Sequence, residues 1–170
     1  QVVLFLLGEE AWAAVETLRG RRVTERLGRL LMRVLGEVFI HRRNPFLAEE
    51  LVRDPKRRRH LFGSLADDLG LIGRQAGADP LVADVLGRAH SLLEAFRREV
   101  ETVPAERERL RRRLGAVVGA ANVLCDPITL VAHATDATDW RLHLPAAVAF
   151  PTETAQVQPL LAAIRGLGLH

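Results

Sequence analysis

Asp79-Pro80-Leu81-Val82-Ala83-Asp84-Val85-Leu86-Gly87-Arg88-Ala89-His90-Ser91-Leu92-Leu93-Glu94-Ala95-Phe96-Arg97-Arg98-Glu99-Val100 carries the longest helix signal in the chain. Its apolar positions, Leu81, Val82, Val85, Leu86, Ala89, Leu92, Leu93, Phe96 and Val100, recur at steps of three and four, which lines them along one helix face. Asp79 can cap the first turn, and Pro80 suits the first helical position because its missing N–H would have no partner there anyway.

The same punctuation recurs upstream. Asn44-Pro45 and Asp54-Pro55 each break one helix and start another, and Leu61, Phe62, Leu65, Leu69 and Ile72 follow the second. Before them, Thr24 is placed to cap a helix whose stripe is Leu27, Leu30, Leu31, Val34, Leu35, Val38 and Phe39. Arg26, Arg29, Arg33 and Glu37 fall mainly on the other side. Downstream, Pro104 is expected to open a further helix carrying Leu110, Leu114, Val117 and Val118, fraying into Gly119 and Asn122. Short connections imply that helices from about residue 24 to 120 fold back on one another as an antiparallel bundle, with Leu31 and Leu93 among its buried positions.

At 170 residues the chain is long enough for one domain with a real core, or one domain plus part of another. With Tyr absent and aromatics at 5%, binding by stacked bases has little to work with. The opening run Val2-Val3-Leu4-Phe5-Leu6-Leu7 has six apolar residues, against about 20 for a membrane span, and no basic segment precedes it. It reads as a core segment whose upstream partner has been removed. Residues 1–120 hold 22 Lys/Arg against 17 Asp/Glu, and residues 121–170 hold 2 against 4. That asymmetry raises nucleic acid or an acidic membrane surface as partners for the first part. The preference for Arg, with Lys56 the only lysine, fits a GC-rich genome better.

After Asn122 the character changes. Asp126-Pro127 breaks the chain, and Thr and Asp cluster in Thr135-Asp136-Ala137-Thr138-Asp139. Ala146-Ala147-Val148-Ala149-Phe150, bounded by Pro145 and Pro151, suits a short buried strand. Thr152 and Thr154 are placed to cap a following helix whose apolar face is Val157, Leu160, Leu161 and Ile164, ended by Gly166 and Gly168. Leu169-His170 would begin a second strand. One strand and one helix cannot bury a core between them, so this unit is expected to need residues beyond the chain.

The stretch His133-Ala134-Thr135-Asp136-Ala137-Thr138-Asp139-Trp140-Arg141, then Leu144-Pro145-Ala146-Ala147-Val148-Ala149-Phe150-Pro151-Thr152-Glu153-Thr154, with Val157 and Gly168 after it, resembles a known domain start. It is similar to the beginning of the FAD-binding domain of the vanillyl-alcohol oxidase / p-cresol methylhydroxylase superfamily, closest to the D-lactate and glycolate dehydrogenase type. Leu4-Phe5-Leu6-Leu7-Gly8-Glu9-Glu10, Arg43-Asn44-Pro45-Phe46-Leu47 and Asn122-Val123-Leu124-Cys125-Asp126 resemble the helical region that precedes this domain in large bacterial members with iron–sulfur clusters. The resemblance implies a mainly α chain: a helical region over 1–120, a connecting segment over 121–144, and the truncated α+β start of an FAD-binding domain over 145–170. It also implies a longer protein that oxidises a small 2-hydroxy acid with FAD and passes electrons through 4Fe-4S clusters to a further partner. The loop that would wrap the flavin pyrophosphate lies beyond His170, so no residue here is assigned to flavin, substrate or catalysis, and the fragment itself is expected to be inactive. The alternative class is a helical protein- or nucleic-acid-interaction module. The expected compartment is the cytoplasm, with the inner-membrane surface as a peripheral contact.

Other residues have a sharp and a bland reading. His133, Asp136, Asp139 and His143 have donor types that suit zinc, iron or manganese. Short acidic side chains also satisfy turn and cap backbone groups, which is the preferred reading, so no metal is assigned. Trp140 could stack a ligand, but a large apolar side chain before a strand more often plugs a core edge; Trp12 reads as helix packing. Arg57-Arg58-Arg59 and Arg111-Arg112-Arg113 could bind phosphate, yet three successive helical residues point in three directions, so a solvated face is preferred. Cys125, the single cysteine, supports neither an internal disulfide nor a thiolate-rich cluster and reads as a small apolar filler.

Overall fold

The computed structural model describes residues 1–19, 25–76, 78–134 and 144–168. The chain is mainly α-helical. Its helices are α1 (Val2–Leu7), α2 (Glu9–Arg19), α3 (Glu25–Arg43), α4 (Pro45–Arg53), α5 (Pro55–Ala76), α6 (Pro80–Val118), α7 (Pro127–Ala132) and α8 (Val157–Gly166), with two short strands, β1 (Val123–Leu124) and β2 (Val148–Ala149). Two compact units divide it, Gln1–Glu101 and Thr102–His170. Thr24 and the Leu169-His170 strand lie outside the described residues.

In the first unit the Asx-Pro starts behave as the sequence implies. Asn44 Oδ1 accepts from the N–H groups of Phe46 and Leu47 at 3.0 and 3.3 Å, opening α4. Asp54 accepts from Lys56 and Arg57 at the start of α5, and Asp79 from Leu81 at the start of α6. Each cap gives partners to amide groups that have none within the first turn.

The main core joins Val34 and Val38 of α3, Leu51 of α4, Phe62, Leu65 and Leu69 of α5, and Leu93 and Phe96 of α6. Phe62 lies 5.4 Å from Phe96 by ring centroids, and Gly73 lies beside Leu86, so α5 and α6 run antiparallel. A second cluster seats Val3 and Leu7 of α1 and Ala11 and Ala14 of α2 against Leu35 and Val85. The opening apolar run is thus a short helix that buries Val3 and Leu7 and leaves Leu4 and Phe5 exposed. Leu93 is buried, as its place in the stripe implies, whereas Leu31 is only half-buried, lying at the junction of the two clusters.

Pro104 does not open a helix. It sits inside α6, which runs unbroken for 39 residues. Proline removes one amide hydrogen bond, but the buried positions Val100, Leu110, Leu114 and Val118, with half-buried Val103, Arg107 and Val117, continue in steps of three and four across it. Burial along that stripe outweighs the lost bond. Gly119, at φ +89°, then stops α6, a conformation that L side chains rarely adopt.

In the second unit β2 pairs antiparallel with β1, Val123 opposite Ala149 and Leu124 opposite Val148. The expected five-residue buried strand is two residues long and half-buried, and Phe150 is exposed. Its partner lies upstream within the chain. Leu110, Leu114 and Val118 of α6, Val123 of β1 and Leu160 of α8 form a core. Within the chain α6 and β1 supply walls for Leu160, while Phe150, Val157 and Leu161 of the same segment remain exposed.

Candidate functional site

The segment that carries the family resemblance is built around a capped turn. Glu153 and Gln156 form a reciprocal capping box, and Gln156 Oε1 also accepts from Thr152 N–H at 2.8 Å. Glu153 thus supplies the cap expected of Thr152 or Thr154, because the turn into α8 begins so that Glu153, not either threonine, stands at the N-cap position. Pro159 stands in the first turn of α8, where it is tolerated. Of the expected apolar face, Leu160 is buried and Ile164 half-buried, while Val157 and Leu161 are exposed.

Where α8 ends, it meets the second half of α6 in an open trough lined by Arg109, Arg112, Arg113, Ala116, Ala163, Gly166 and Leu167. On α6 the four contributing positions follow the three- and four-residue steps that share a face, so Arg112 and Arg113 flank Arg109. Arg109 is committed: it donates to Leu167 O at 3.3 Å and meets Glu106 at 3.3 Å. A cation there also suits the carbonyl-rich end of α8. Arg112 and Arg113 have no hydrogen-bond or ion-pair partner among the described residues. The floor consists of small residues, and the position of an added Gly166 Cβ lies 3.8 Å from Arg113 Nη2.

The other arginine triplet has a structural use. Arg57 pairs with Glu50 at 2.7 Å, and Arg58 donates to Leu51 O and Val52 O at 3.1 and 3.4 Å, covering the end of α4. Reading each triplet alone hid the difference between them. The signal was Arg109, three and four positions before Arg112 and Arg113.

Of the candidate metal donors, Asp136, Asp139 and His143 lie outside the described residues, as does Trp140. His133 has Nδ1 2.9 Å from Thr129 O and stands edge-on to Phe150, ring centroids 5.5 Å apart. Among the described residues no group of three His, Cys, Asp or Glu is gathered as a metal site. Cys125 is buried, 2% exposed, and Trp12 is half-buried against the cluster of α1 and α2. Sequence reading passed over two buried polar residues in the first unit. His41 Nδ1 lies 2.8 Å from Glu37 O, and Glu49 pairs with Arg53 at 2.5 Å. Both are held by their own helix turns.

A family described as "Protein of unknown function (DUF3683)" matches residues 1–98. The chain belongs to that family. The DUF3683 match takes in α1 to α5 and α6 as far as Arg98, which is nearly all of the first compact unit. The trough and the strand–helix segment lie beyond it. No curated protein and no solved structure matches the chain. Among the described residues no helix is long and apolar enough to cross a membrane.

Proposed function

We propose that this chain is the N-terminal part of an FAD-linked oxidoreductase of the D-lactate/glycolate dehydrogenase type, which removes hydride from a carbon bearing a hydroxyl. The observation that supports the reading is the order of elements over 144–168: a proline-bounded strand at Val148–Ala149, a capped turn at Glu153–Gln156, and a helix ending at Gly166. That order is the one the sequence resemblance implies. In such an enzyme FAD supplies the hydride chemistry, and the protein places and tunes it. The role left to this chain is to present the β2–α8 segment on a core of its own, built with α6 and β1. The 2-hydroxy acid, the 4Fe-4S clusters and the electron-transfer partner belong to the same proposal, as does a cytoplasmic location with peripheral membrane contact.

The test is the colour of a longer chain. A purified protein that continues past His170 through the following domain should carry flavin absorbance and be bleached anaerobically by D-lactate or glycolate. A colourless, folded protein would overturn the reading.

A further inference from the structure

The geometry points to the trough between α6 and α8 as a binding site for the diphosphate group of a nucleotide, with Arg112 and Arg113 as its donors. The inference stands apart from the flavin reading. It rests on where arginines without a carboxylate partner stand: Arg59, Arg74, Arg98, Arg111 and Arg165 also have none among the described residues, but only Arg112 and Arg113 of this group line a concavity together. Arg33 pairs with Asp68, Arg42 with Glu99, Arg53 with Glu49, Arg57 with Glu50, and Arg88 with both Glu10 and Asp84. Arg112 and Arg113 line one concavity with no carboxylate among the described residues to meet them.

A guanidinium is a planar fork of donors that matches two oxygens of a phosphate, and two forks that line one concavity can each take one of two linked phosphates. The concavity, about 860 Å³, falls in the usual size range of small-molecule sites, roughly 300–1,000 Å³. Ala116, Ala163 and Gly166 keep its floor low, so an anion can approach both forks without meeting a long side chain. Arg109 is not counted as a donor, because Leu167 O and Glu106 occupy it; its role is to fix the end of α8 against the trough. Arg111 does not line the trough and serves as an internal control.

Nucleic acid is the competing ligand for unpaired arginines. A continuous basic stripe would favour it, and here Glu106 and Glu108 precede the pair while Ala116 follows on the same face.

The experiment titrates the 170-residue chain with pyrophosphate, ADP, adenosine and a short single-stranded oligonucleotide, following backbone amides by NMR. Saturable shifts are expected with pyrophosphate and ADP, confined to 109–116 and 163–168, in the millimolar range, and none with adenosine. Arg112→Gln with Arg113→Gln should weaken ADP binding about ten-fold or more, whereas Arg111→Gln should not. Ala163→Glu, which fills the trough with a carboxylate and removes no arginine, should weaken it as well. Both arginines are exposed, so an unchanged thermal midpoint shows that the fold is intact. Absence of saturable shifts, binding undiminished in the double variant, or an oligonucleotide that binds while pyrophosphate does not would each overturn the inference. None of these outcomes depends on whether a longer chain is yellow.

Discussion

Asp126 accepts from the Thr129 hydroxyl at 2.7 Å and from the Thr129 N–H at 3.0 Å, and these bonds hold its carboxyl below the usual carboxylate range. Asp54 is lowered in the same way by the N–H groups of Arg57 and Lys56. A lowered pKa means that the folded state favours the ionised form. The resulting stability is complete above the ordinary carboxylate value, about pH 4, and is lost as pH falls through the lower folded value. Replacing Asp126 by Asn should therefore give a difference from the parent chain that is constant near neutrality and shrinks below about pH 4 in urea unfolding; a difference unchanged down to pH 3 would refute this. Asn44 makes the same kind of cap without a charge. Asn44→Ala should cost roughly 0.5–2 kcal/mol and Asn44→Asp much less, measured by urea unfolding. These caps were legible because an Asx residue before proline leaves few other local structures. The Glu153 cap was not, since Thr152 and Thr154 offer equally good oxygens in sequence and only the geometry of the turn chooses. His41 and Glu49, both buried, were missed for a related reason: a polar residue on an apolar face looks like a gap in the pattern until its own turn is seen to hold it, by Glu37 O for His41 and by Arg53 at one oxygen of Glu49.

The long helices were legible because burial imposes a period, and α3, α5 and α6 each repeat that period over several turns. Two-residue strands repeat nothing, so Val123-Leu124 gave no sign of pairing with Val148-Ala149. Pro104 misled because local preference argued for a break while the apolar stripe on both sides argued for continuity. Packing also sorts substitutions that look alike. Leu93→Ala should cost about 2–5 kcal/mol as a fully buried leucine; Leu31→Ala should cost distinctly less, because Leu31 is only half-buried. Glycines in helices divide by the space around them. A side chain at Gly63 of α5 meets nothing within 4 Å, so Gly63→Ala should gain about 0.5–1 kcal/mol from helix propensity. At Gly115 of α6 the added Cβ would lie 2.9 Å from the Ala120 Cα, which is backbone and cannot swing aside. Gly115→Ala should destabilise despite the same propensity gain. Thermal midpoints that move in one direction for both glycines would show that the close approach at Ala120 does not matter.

At the scale of the whole chain, the sequence conveyed a helical protein with a change of character near Asn122, and the compact units divide earlier, after Glu101. Composition marked the change where charge thins out, but the second core draws Leu110, Leu114 and Val118 from the charged side of it. A helix that serves two cores shows one continuous stripe and hides the division. The same fact bears on what this chain can bind alone. FAD needs phosphate donors together with a pocket for adenine and a wall for the isoalloxazine ring. The trough offers guanidinium forks for phosphate oxygens over a floor of Ala116, Ala163 and Gly166, which is too low to enclose a ring. The amino end of the turn at Thr154–Gln156 that leads into α8 can attract an anion only weakly. The 170-residue chain should therefore purify colourless, and calorimetric titration should find FAD binding no tighter than ADP, because both would engage through their diphosphate alone. Anaerobic reconstitution should likewise leave it without an iron–sulfur cluster: Cys125 is its single thiol and is buried, whereas such clusters recruit about four ligands. Micromolar FAD binding would mean that the chain assembles ring-binding walls of its own. FAD affinity equal to that of ADP, lost together with it in the Arg112→Gln, Arg113→Gln variant, would show that FAD meets this chain only as one more diphosphate in the trough.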